Sequence, residues 1–110
     1  MKFALDICTL IRTLPGDEPG PTVKRQLTKS STSTAANYRA ACRARSHAEF
    51  TSKMGLVAEE ADENVFWLEY IAGANLTKAK NLPVLETEGR ELLQIFSRSV
   101  GTARLNERQQ

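Results

Sequence analysis

Cysteine, histidine and aromatic residues are scarce in this 110-residue chain, and each scarcity excludes some chemistry. The two cysteines, Cys8 and Cys42, stand singly, with no Cys-x-x-Cys pair. A disulfide framework, a zinc ribbon and a dithiol redox motif all lack their ligands, and reduced intracellular thiols are expected. One histidine, His47, sits at the expected start of a helix, and nothing near it completes a Ser-His-acid or Cys-His site. Di-metal sites in helical bundles use Glu-x-x-His pairs, which are missing here, as is a glycine-rich phosphate loop. The expectation is a protein that is not an enzyme and needs no cofactor or metal. No apolar run approaches the roughly 18 residues of a membrane span. The N-terminal apolar positions are interrupted by charge, unlike a signal peptide. A soluble, cytoplasmic protein with no membrane partner is expected.

Charge is nearly balanced overall, at +2, but unevenly placed. Residues 1–55 carry nine Lys and Arg against four Asp and Glu, a net +5. Residues 56–110 carry six against nine, a net −3. Between Lys24 and Lys53 there are seven basic residues and one acid, Glu49. That asymmetry favours a polyanionic partner.

Helical periodicity is present throughout, and strand alternation is sustained nowhere. Phe3, Ile7, Leu10 and Leu14 mark one face of a helix over about 2–14, stopped by Pro15-Gly16. Pro21 suits the first turn of a second helix, 21–44, whose stripe is Val23, Leu27, Thr34, Tyr38 and Ala41/Cys42. The run "SHAE" at 46–49 reads as a capping box, with the Ser46 side chain and the Glu49 carboxylate satisfying each other's amides. It opens a third helix, 47–73, striped by Phe50, Met54, Val57, Ala61, Val65, Leu68 and Ile71, with Phe66 and Trp67 widening the face. A fourth, 83–104, carries Leu85, Leu92, Ile95, Phe96 and Val100. A single all-α domain is expected, an antiparallel up-down-up-down four-helix bundle.

The second helix is short of bulk. "STSTAANYRAACRARS" (31–46) has one large apolar residue, Tyr38, and no acid. Such a helix lets its neighbours approach closely, and the large side chains of helix three are the expected fillers. The stretch "EEADE" (59–63) reads as a solvated or salt-bridged stripe rather than a ligand set, with Glu59 and Glu63 one turn apart.

The segments "NYRAACRARSHAEF" (37–50) and "GLVAEEADENVFWLEYI" (55–71) resemble the four-helix-bundle family named after proteins encoded in intervening sequences of bacterial 23S ribosomal RNA genes. The similarity spans roughly residues 12–106. Asn37, Tyr38, Glu59, Glu60, Glu63 and Trp67 match its pattern and are assigned to structure or subunit interface. Ala40 stands where the family often has Glu, and helix one is short at its N-terminus beside many relatives. The resemblance implies an antiparallel bundle assembling as a ring-shaped homopentamer, and no established activity. More distantly, the chain is similar to the accessory proteins of diversity-generating retroelements, which work with a reverse transcriptase and nucleic acid.

An antiparallel register around a turn near residue 45 sets Lys29 level with Ala61 and puts Arg39, Arg43 and Arg45 about 15 Å or more from the acidic run. The start of helix one and the end of helix four are expected at the same tip, adding Lys2, Arg98, Arg104 and Arg108. A nucleic-acid surface of Arg39, Arg43, Arg45, Lys53, Arg98 and Arg104 follows as an expectation. It carries no base-specific motif and binds structured RNA or DNA through phosphates. Two other readings stand beside it. Arginines at a helix C-terminus complement its dipole. Alternatively they pair across a subunit boundary with Glu59, Glu63 or Glu69, in a ring that docks a partner protein.

Overall fold

A computed structural model of the chain describes residues 1–108. Four helices follow in order, α1 (Lys2–Ile11), α2 (Gly20–Cys42), α3 (His47–Gly73) and α4 (Leu82–Arg108), and among the described residues there is no strand. Each helix packs on its two neighbours around a square, so that α1 lies diagonal to α3 and α2 diagonal to α4. This is the antiparallel four-helix bundle read from the stripes, drawn out to 51 × 21 × 20 Å.

Helix boundaries are set by local hydrogen bonding. Helix α1 ends at Ile11, three residues before the expected stop, because the amides of Thr13 and Leu14 turn back to the carbonyls of Leu10 and Ile11. Leu14 nevertheless remains buried in the core. Before α2, the Glu18 carboxylate accepts from the Thr22 amide at 3.2 Å. Gly20 is obligatory there, since a Cβ would stand 1.9 Å from the Pro15 carbonyl oxygen. Ser46 caps α3 by accepting from the Glu49 amide at 3.1 Å, as the capping box predicts. The Glu49 carboxylate, however, accepts from the amide of Arg45 rather than that of Ser46. Helix α3 closes with Asn75 at φ 51°, the Asn75 amide bonding to Ala72 and the Leu76 amide to Ile71. Those paired bonds make a Schellman stop with asparagine at the left-handed position.

The core has two apolar halves. Phe3, Ile7, Leu10, Leu27, Leu68 and Ile71 anchor the half nearest α1, and Met54, Val57, Ala61, Phe96 and Val100 the half nearest the α2–α3 turn. Buried Ser30, Ser31, Thr34 and Asn64 lie between them. Ser30 donates to Asn64 Oδ1 at 2.6 Å, and Asn64 Nδ2 donates to Thr34 Oγ1 at 3.0 Å. Thr34 in turn donates to the Ser30 carbonyl at 2.7 Å, completing a satisfied network.

The small side chains of α2 are therefore matched by an asparagine, not by the aromatic residues of α3. Phe66 and Tyr70 are exposed, and Trp67 is half-buried. Tyr38, Cys42 and Ile95, read as core positions from their stripes, are exposed as well. A stripe records which residues share a helix face, not whether a neighbour covers it: Tyr38 is only part-covered by Phe96, Trp67 packs partly on the core, and the others stay open to solvent.

Candidate nucleic-acid interface

The α2–α3 turn is the basic end of the bundle. Helix α2 stops at Cys42 because the amides of Arg43 and Ala44 bond to the carbonyls of Ala40 and Ala41. That tight turn, followed by the Ser46 cap, throws Arg43 and Arg45 onto the outside of the corner, where both are exposed. Arg39, in the last turn of α2, is exposed too. Among the described residues neither Arg39 nor Arg43 has a carboxylate within salt-bridge distance. Arg45 has one long contact, Nε to Glu49 Oε2 at 3.9 Å, with 92% of its side chain exposed, and a pair of that kind contributes little.

The acidic run lies elsewhere. Ser30 and Thr34 both reach Asn64, which fixes the middle of α2 against the second half of α3. Lys29 lies close enough to Glu60 for its charge to act on that carboxyl. Glu60 is pushed above the usual carboxylate range, first by burial and then by repulsion from Glu63, with Lys29 opposing and Glu59 adding to it. Its Oε2 is buried without a hydrogen-bond partner. The acids thus repel one another while the corner arginines stand apart from them.

The six residues expected to form one surface divide among several places. Arg43 and Arg45 hold the corner, and Arg39 lies one turn back along α2. Lys53 is half-buried on the α3 face shared with Glu60 and Asn64, by helical phase. Arg98 is exposed on α4, one turn on from Ile95. Arg104 lies over Gly55 in a shallow hollow between α3 and α4 that Glu59 and Glu107 also line, so its charge is offset locally.

Lys2 corrects the expectation that α1 begins at the tip. Ten residues of helix span only about 15 Å. Residues Met1–Ala4 therefore lie beside Ser31, Thr34 and Leu92 at mid-bundle, where Lys2 pairs with Asp6 at 3.1 Å.

His47, unused by any catalytic reading, ties the corner to the end of α4. Its Nε2 is 3.0 Å from the carbonyl oxygen of Ala103. A carbonyl only accepts, so that nitrogen carries the proton. Asn37 donates to the Ser33 carbonyl at 2.9 Å along its own helix. Among the described residues no cluster of His, Cys, Asp or Glu has the arrangement to hold a metal ion, and no helix is long and apolar enough to cross a membrane.

Asn64 escapes the sequence reading although its signal is present. Positions 57, 61, 64, 68 and 71 keep the core spacing without a break, which puts an amide where an apolar residue is the rule.

Among solved structures, the chain is similar to a protein of unknown function from the S23 ribosomal protein family of Bacteroides thetaiotaomicron VPI-5482. The TM-score is 0.79 at 25% identity, over 90% of this chain and 92% of that one. This supports the family resemblance at a distant level. No family model and no curated protein matches the chain.

Proposed function

We propose that this protein is a non-catalytic, cytoplasmic accessory protein that assembles with copies of itself and holds RNA or DNA, without sequence preference, at the α2–α3 corner. One observation carries the reading: Arg39 and Arg43 are exposed with no acidic partner among the described residues, and Arg45 has only a loose one. Phosphate groups attract such side chains through counterion release and demand no particular base. Repetition of the corner around a ring of five, the assembly implied by the family resemblance, multiplies weak contacts by avidity.

The test is charge reversal. Arg43→Glu with Arg45→Glu abolishes binding to a labelled RNA hairpin and to duplex DNA at low salt, and leaves the oligomer unchanged. Loss of the oligomer in the same variant places these arginines in assembly and ends the nucleic-acid reading.

A protein partner is the second reading, favoured by the aromatic surface of α3. Phe66 and Trp67 meet edge to face at 4.8 Å between centroids, and Trp67 and Tyr70 at 5.8 Å. Aromatic clusters of this kind are common anchors of protein interfaces. An adaptor ring that docks another protein leaves RNA unbound at low salt.

A further inference from the structure

The outer face of α2 carries charge of one sign only. The helix contains four basic residues and no acid. Arg25, Lys29, Thr32, Ala36, Arg39 and Arg43 recur at steps of four and three, and all six are exposed. They lie opposite Val23, Leu27, Ser30, Thr34 and Ala41, which α2 buries. The stripe is therefore the face turned away from the bundle. It runs about 27 Å from its first residue to its last and ends in the corner arginine.

Carboxylates stay off this face. Glu18, ahead of the helix, is held by the amide and the hydroxyl of Thr22. Arg25 meets only the neutral Thr22 hydroxyl, at 3.3 Å. Lys29 acts on Glu60 of α3, yet among the described residues neither Arg25 nor Lys29 has a carboxylate within salt-bridge distance. The far end of the stripe thus repeats the unspent positive charge of the corner.

Two features of the stripe point to its occupant. It holds no aromatic residue, whereas proteins that grip single strands stack the bases on aromatic side chains. Its charges come as two pairs, Arg25 with Lys29 and Arg39 with Arg43, with about 15 Å of helix between Lys29 and Arg39. The major groove of B-DNA is about 12 Å wide between its phosphate walls, so one pair can rest on each wall. Duplex RNA offers its wide minor groove in the same way. Over the opening, the Thr32 hydroxyl turns back to the Thr28 carbonyl at 2.7 Å and Ala36 has no polar group, so neither reads a base.

We propose that the outer face of α2 seats a double helix, Arg25 and Lys29 holding one phosphate wall of a groove and Arg39 and Arg43 the other. The inference rests on the proposed function and deepens it: the corner is one end of a longer surface, and the polyanion is a duplex.

The test compares the wild-type protein with Arg25→Ala/Lys29→Ala, two exposed sites where alanine suits a helix. Circular dichroism checks that the variant folds. Fluorescence anisotropy measures affinity between about 50 and 200 mM salt for duplex DNA, duplex RNA and the single strand of each, all of equal length. Tighter binding of either duplex than of its strand supports the seat and identifies which helix it takes. On that duplex the variant is expected to lower the slope of log affinity against log salt by about 1.8, at about 0.9 for each of two lost phosphate contacts. A variant that keeps the wild-type slope, while Arg43→Glu with Arg45→Glu abolishes binding, overturns the seat and leaves the corner standing. Single strands bound as tightly as both duplexes also overturn it. A wild-type protein that binds none of the four overturns both readings.

Discussion

Ser30 Oγ and Asn64 Oδ1 meet at 2.6 Å inside the bundle, joining α2 to α3 between its two apolar halves. The amide also donates to Thr34, so one side chain uses its acceptor and its donor on two consecutive turns of α2. Slipping α2 along α3 by one turn leaves Asn64 with only one of its two hydroxyl partners, and the network therefore favours this register as well as filling space.

Replacing Asn64 by Leu is predicted to destabilise the chain by about 1–3 kcal/mol, because Ser30 loses its shorter acceptor bond and Thr34 its donor in a buried site. Adding Ser30→Ala and Thr34→Val removes the two hydroxyls that Asn64 had bonded and is predicted to recover part of the loss. Urea unfolding of the single and triple variants measures both. A triple variant less stable than the single contradicts this account of the site.

Glu60 predicts a pH dependence of definite sign. Its carboxyl is raised by burial and by Glu63, with Glu59 adding and Lys29 opposing, so the folded chain keeps a proton that the unfolded chain releases. Stability therefore falls as pH rises from the ordinary carboxylate range through the raised value, and stays lower above it. Glu60→Gln is predicted to gain about 0.2–0.5 kcal/mol at pH 7, the scale of a like-charge pair on a helix, and nothing near pH 4. Thermal unfolding at both values, at a concentration where the chains are separate, measures the difference.

Ser46 holds the corner in shape. Ser46→Ala is predicted to cost about 1 kcal/mol through the lost bond to the Glu49 amide. Amide hydrogen exchange is expected to quicken first at Thr51 and the residues before it, and unchanged exchange there contradicts the role of the cap.

The helices and their order were legible because each stripe is interrupted by recognisable stops, Pro15-Gly16, the Ser46 cap and the break after Gly73. The separation of Arg43 and Arg45 from the acidic run follows from the same register and holds in the structure. Three things were hidden. A polar residue in core phase, Asn64, does not announce that its partners are hydroxyls 30 and 34 residues away. The exposed faces of Tyr38, Phe66 and Ile95 look like core faces, because residue type alone does not say whether another helix arrives to cover them. The reach of α1 depends on where its first residue falls along its neighbours, which only the packing of Phe3 against Gly89 reveals.

Salt dependence tests the central claim most directly, since a corner of exposed arginines that binds without sequence preference draws its affinity chiefly from phosphate charge. Titration of the wild-type protein with a labelled RNA hairpin between about 50 and 200 mM salt is predicted to show log affinity falling linearly with log salt concentration. The slope is predicted to shrink when Arg43 and Arg45 are replaced by alanine. A slope of zero, or one that the alanine variant leaves unchanged, contradicts the claim.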